Sequence, residues 1–196
     1  MKRSILILSL GILLLARGFA QETTTATTDS SPTNSVNSTK PAAPKTPPFI
    51  VSGLMTGQSN NGYMLNSKGK PAQIAYFKAQ VRVNDKNISS FDTARLYVFN
   101  KDKELIYTFD CPDPMITSRT GEQVPVVDAP NLLIDLEGLK ENKSYSLVYP
   151  YVREDLKWKY AVLVVGTKDV VVTDTLPSSA KAEEFEFKEK EKLFKP

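Results

Sequence analysis

Histidine is missing from the sequence altogether, and cysteine occurs once, at Cys111. The first absence removes the commonest general base, the commonest metal ligand and every Ser-His or Cys-His nucleophile pair. The second means that no disulfide can form within the chain, so stability must come from a packed core. Cys111 then reads either as a small buried hydrophobe or as one half of an intermolecular disulfide. No glycine-rich phosphate cradle occurs. A single Cys cannot build a structural zinc site, and the acids that suit hard cations are scattered. Asp110 and Asp113 come nearest to a calcium pair and read as turn-capping carboxylates beside Pro112 and Pro114. Two facing carboxylates would suffice for glycoside hydrolysis, but no motif marks such a pair. The expectation is a protein that is not an enzyme, with no catalytic residue, cofactor or metal.

Positive charge is also scarcer than it looks. The chain carries 25 basic and 22 acidic side chains, yet Lys2, Arg3 and Arg17 fall in a segment with the grammar of a secretory signal peptide. Two basic residues precede an apolar run from Ile5 to Leu15, and Gly18 and Ala20 stand at the small-residue positions of a cut before Gln21. The run is shorter than the roughly 17–25 residues that span a bilayer. No Cys stands at the cut to carry a lipid. Without residues 1–20 the bases fall to 22, equal to the acids. A neutral chain lacks the electrostatic footprint of phosphate-backbone binding, so nucleic acid is not an expected partner. The expected location is exported, in the periplasm, at the cell surface or outside the cell, with no membrane span once the signal is removed.

Residues 21–48 are Thr, Ser, Pro, Asn and Ala with almost nothing to bury, which predicts a disordered linker. Beyond it the sequence reads as strands. Phe49–Met55 is a candidate first strand, followed by a loop over 56–70. Phe77, Ala79, Val81 and Val83 alternate with Lys78, Gln80 and Arg82, the period-two pattern of a half-buried strand. Ala94–Phe109 reads as a hairpin turning at Asn100–Lys103. Asp110–Pro114 stops it, leading to a surface loop over 115–121 and a short edge strand over Val124–Val127. Asn131–Val152 reads as two further strands joined by a polar bend. Pro150 within the second requires an edge position or a bulge. Lys157–Val165 and Val170–Thr173 form a last hairpin. Helical periodicity is absent over 49–177, which reads as one domain large enough to bury its own core.

Residues 178–196 are dense in alternating charge, with Phe185, Phe187, Leu193 and Phe194 as the large apolar groups. They read as an extended strand or as a short exposed helix. Edge strands invite pairing with a second copy, and Phe185 and Phe187 mark this segment as donor or cover for such an edge. Trp158, Tyr149, Tyr151 and Tyr160 cluster on two strands expected to be neighbours, with a parity that points them inward. Tyr76, Tyr97 and Phe99 lie on strands with large apolar residues on both parities. Tyr76, Tyr97, Phe99 and Trp158 are therefore the candidate binding aromatics, to be decided by exposure.

The run Leu136-Glu137-Gly138-Leu139-Lys140-Glu141-Asn142-Lys143-Ser144-Tyr145 resembles the end-of-strand-E to strand-F signature of fibronectin type III and related immunoglobulin-like domains. The resemblance implies an all-β fold, an antiparallel β-sandwich of about seven to nine strands. In it Leu139 packs beneath the bend and the Tyr145 hydroxyl bonds back to the backbone as a tyrosine corner. The Ala94–Phe109 hairpin resembles the C-strand region. The sequence departs from these families in lacking the disulfide pair and an early Trp. The whole chain also resembles small secreted immunoglobulin-like proteins that some gut bacteria encode beside pilus-like gene clusters. The expected function is an exported binding or structural module acting by protein contact at the cell or host surface, pilus-associated or host-interacting. The alternative is a carbohydrate-binding module that stacks sugars on aromatic rings.

Overall fold

The computed structural model describes residues 46–118 and 120–186. The signal segment, the linker up to residue 45 and Phe187 lie outside the described residues. Over these described residues the fold is all-β, with nine strands: β1 (Phe49–Leu65), β2 (Pro71–Val83), β3 (Thr93–Phe99), β4 (Leu105–Phe109), β5 (Met115–Thr117), β6 (Gln123–Pro125), β7 (Ser144–Val152), β8 (Tyr160–Gly166) and β9 (Val171–Leu176). They form a three-stranded sheet in the order β1-β2-β7, a four-stranded sheet in the order β4-β3-β8-β9, and the small hairpin β5-β6. All the pairings between these strands are antiparallel.

The two larger sheets pack face to face as a sandwich. Alternation dictates the inner faces. Phe77, Ala79, Val81 and Val83 of β2 meet Leu147, Tyr149 and Tyr151 of β7 on one sheet, against Ala94, Leu96, Val98, Ala161, Leu163 and Val165 on the other. The fully buried Tyr149 hydroxyl donates to the Ala94 carbonyl at 2.8 Å, a bond that ties β7 to β3 across the core. Burial pushes this phenol well above its ordinary titration, as desolvation disfavours the phenolate.

Several expectations change here. The loop read over 56–70 is mostly strand, because β1 continues against β2 as far as Leu65 opposite Pro71. Its glycines serve the ladder: Gly53 and Gly62 adopt φ near +70° inside the two register shifts at Ser52/Met55 and Ser59/Met64, where a bulge needs that conformation. The strand read over Leu132–Leu136 is reduced to isolated bridges, Leu132 with Ser146 and Glu137 with Ser90. Its backbone divides its bonds, Leu133 donating to Ser146 while Leu136 accepts from Phe91. This segment therefore runs from β7 to the connection between β2 and β3. Met115–Thr117, read as loop, pairs with Gln123–Pro125. Pro150 does sit on an edge strand, opposite Tyr76.

Both sheets are also covered on their outer faces. The β5-β6 hairpin and the residues after it bring Ile116 and Val126 onto Ile74 and Val148 of the three-stranded sheet. On the four-stranded sheet, Tyr97, Phe99, Val162 and Val164 are covered by Ala182 and Phe185, the first residue of a 3-10 turn at Ala182–Glu184 and the residue that follows it. Double-sided burial explains the near-continuous apolar runs of β3 and β8, a pattern expected of strands packed on both faces. The C-terminal segment is neither strand nor regular helix up to Glu186.

Candidate functional site

The aromatic residues singled out by sequence do not assemble into an exposed platform. Tyr97 and Phe99 are buried on the outer face of β3, with the Phe185 ring 4.6 Å from that of Phe99. Their strand indeed carries large residues on both parities, but the second face belongs to the chain's own C-terminal cover. Tyr76 is half-buried because its ring lies over Gly57, its direct partner on β1. A side chain at Gly57 would collide with it. Trp158 is half-buried and packs edge-on against Phe77, centroids 5.0 Å apart. Its indole N–H donates to the Tyr151 hydroxyl at 2.9 Å. Burial raises the Tyr151 phenol, opposed by this bond. Tyr151 lies near the end of β7 and Trp158 in the connection before β8, so the two meet where the chain leaves one sheet for the other. They are not neighbours in one ladder, since β7 pairs with β2 whereas β8 pairs with β3 and β9.

Leu139 and Tyr145 come together in a closed turn. The Tyr145 hydroxyl accepts from the Lys140 N–H at 2.9 Å, Leu139 is buried, and the Leu139 and Asn142 N–H groups donate to Ser89 and Val83. The turn leads into β7 at the edge of the three-stranded sheet. In the other sheet the neighbours of β3 are β4 and β8.

Three aspartates serve structural contacts. Asp110 pairs with Arg95 Nε at 3.3 Å, Asp113 accepts from the Met115 N–H, and Asp155 accepts from both the N–H and hydroxyl of Ser67. Among the described residues no group of three His, Cys, Asp or Glu could hold a metal ion. No helix there is long and apolar enough to cross a membrane. Cys111 is a free, exposed thiol, so it is not the buried hydrophobe that was one reading of it.

The feature that stands out is β4, the outer strand of the four-stranded sheet. Leu105, Ile106 and Tyr107 are consecutive and exposed, at 37%, 39% and 51% of their surface. The β3–β4 register shifts between Val98, opposite Tyr107, and Phe99, opposite Leu105. Ile106 is therefore the extra residue of a bulge, which explains three large apolar groups in a row where alternation would hide one. Beside β4 lies a groove of about 540 Å³ lined by Tyr63, Leu65, Tyr107, Met115 and Gln123 among others. It adjoins a smaller hollow of about 240 Å³. The two share Met64, Tyr107, Phe109 and Pro150, which makes one mostly apolar trough between β4, the end of β1 and β7. Cys111 and Asp113 also line it. Sequence reasoning placed β4 in a hairpin without marking it; the unbroken run Leu105-Ile106-Tyr107 was the available signal.

No family model, curated protein or solved structure matches the chain.

Proposed function

We propose that the chain is an exported, non-enzymatic module that works by protein contact, taking up an extended segment of its partner along β4. The observation that carries this reading is the exposed apolar edge of β4 beside the trough. An edge strand offers unpaired backbone donors and acceptors, and a partner strand added there gains ladder bonds while its alternate side chains enter adjacent pockets. Natural edges are normally blunted by charge. This one presents Leu105, Ile106 and Tyr107. The signal-like N-terminus and the Thr/Ser/Pro linker fit a domain held out from a cell surface, a pilus-like assembly or a host contact. The sheet orders β1-β2-β7 and β4-β3-β8-β9 support an immunoglobulin-like sandwich of the fibronectin type III kind, in which β7 takes the E position and β8 the F position.

A second reading rests on the rings of the trough. Tyr63, Tyr107 and Phe109 stand beside Asp113, Thr117 and Gln123, aromatic surface with polar groups at its rim, as sugar stacking requires. One experiment separates the two. A photo-crosslinking residue at Leu105 is used on intact cells, in parallel with a glycan array on the purified domain. A specific protein adduct that Tyr107→Lys abolishes, with a silent array, supports the contact reading. Saturable sugar binding lost on Tyr107→Ala, without an adduct, replaces it with the second.

A further inference from the structure

The C-terminal cover is itself a seated ligand. After β9 the chain turns through Pro177–Ala180 and lays Ala182 and Phe185 on Tyr97, Phe99, Val162 and Val164. The Phe185 ring lies 4.6 Å from Phe99 and 5.4 Å from Tyr160, with the Lys103 ammonium 5.5 Å above it. The same ammonium bonds the Glu184 carboxylate at 2.8 Å. Thr175 donates its hydroxyl to the Ala180 carbonyl at 2.8 Å. The segment adds no strand to either sheet. Side chains hold it: one aromatic anchor, one small residue and one ion pair.

We infer that this outer face is an exchange site, filled by the segment 180–186 of its own chain or by the same segment of a second copy. The contacts are the same in both arrangements, so the chemistry that seats the segment in one copy also seats it in the other. The segment belongs to no sheet, so its release breaks no ladder. Segments held this way open with a free energy well below that of the whole domain. Release uncovers Tyr97, Phe99 and Tyr160 together, an apolar patch of the kind that association covers. Because Thr175 holds Ala180 in the seated segment, the hinge is Pro177–Ser179, which spans at most about 11 Å when extended, so exchange places the outer faces of two four-stranded sheets side by side. Such a pairing is isologous: each copy gives its Phe185 and receives the other's. This surface is distinct from β4, and its failure as an exchange site leaves the strand-addition reading intact.

Charge reversal tests the inference on the full chain. Lys103→Glu and Glu184→Lys each place like charges beside each other within one copy. An exchanged pair made of one copy of each variant restores opposite charges at both sites. Native mass spectrometry of an equimolar mixture, one variant isotopically labelled, should show mixed dimer in about fivefold excess over either variant's own dimer. Phe185→Ala introduced into both should remove it. A mixture with no excess of mixed dimer overturns the exchange, and so does a mixed dimer that survives loss of Phe185, because the copies would then be meeting elsewhere.

Discussion

The four-stranded sheet ends differently at its two edges. At β9, the bulge in β1 leaves Gly53 and Leu54 without ladder partners, and the Leu54 N–H is taken by the Asp174 carboxylate of β9 at 2.8 Å. A charged acceptor from one sheet thus satisfies a donor of the other and shuts that side of the sandwich. At β4 no such device exists among the described residues, and three apolar side chains stand in solvent. The outer face of the same sheet follows the β9 pattern, since its apolar surface is covered by Phe185. The chain closes one edge and one face with its own residues and leaves the apolar β4 edge bare, a contrast that favours β4 as the proposed contact surface.

The largest test of the contrast is at the covered face. Phe185→Ala removes a fully buried ring, a change that costs about 3–5 kcal/mol in a packed core. Here the loss is capped by the docking free energy of the segment, which can detach while the sandwich stays folded. The expected result is a lower urea midpoint together with increased binding of an apolar dye. An unchanged midpoint and no dye binding would mean that the cover is dispensable. Next comes the closed edge: Asp174→Ala strands the part-buried Leu54 N–H and should cost about 1–3 kcal/mol. It should also speed hydrogen exchange at Leu54 over its neighbours; equal exchange in both proteins would remove Asp174 as the clamp. Tyr145→Phe lies away from both surfaces and takes only the hydroxyl that accepts from Lys140. A loss of about 1 kcal/mol is expected in chemical denaturation, with contact at β4 unaffected. If that variant also lost contact, the corner and β4 would be coupled.

The sandwich was legible in sequence because period-two alternation reports directly which side of a strand meets the core. Phe77 to Val83 read correctly for that reason. The reading failed where one residue type serves two purposes. Gly62 looked like a loop residue, yet its positive φ, like that of Gly53, lets β1 bulge and continue. Tyr97 and Phe99 looked like candidates for exposure, and nothing local to β3 announces that residue 185 folds back on them. Pairing between distant residues is set by packing that a single strand's pattern does not contain. Trp158 was expected on a strand neighbouring that of Tyr151 and instead bonds Tyr151 from the connection that leads to β8. The Leu139–Tyr145 spacing did identify a closed turn, although the strand it opens lies beside β2. The β4 site was hidden for the opposite reason: without pairing partners in view, an apolar run on an edge looks the same as one in the core.

The smaller effects probe the bare edge and the latch on the cover. Tyr107→Lys puts a charge on β4, a substitution at an exposed position that should move stability by no more than about 0.5 kcal/mol. Loss of the cell-surface adduct with an unchanged melting curve would separate contact from folding; a retained adduct would sink β4 as the contact surface. The latch should respond to pH alone. The hydrogen bond from Lys103 draws the Glu184 carboxyl below its ordinary value, and the same bond holds the ammonium above its own. A lowered acid stabilises above its unfolded pKa and loses that contribution as pH falls through the folded value; a raised base stabilises below its unfolded pKa and loses it as pH rises through the folded one. Docking of the cover is therefore firmest between the ordinary carboxylate and ordinary lysine ranges and weakens at either side. Both groups are exposed, so the change is small and screened by salt. Hydrogen exchange at the Phe185 amide should rise on acidification beyond the intrinsic pH trend in low salt, and this excess should vanish in Glu184→Gln. An excess that persists in Glu184→Gln would assign the acid response to another group.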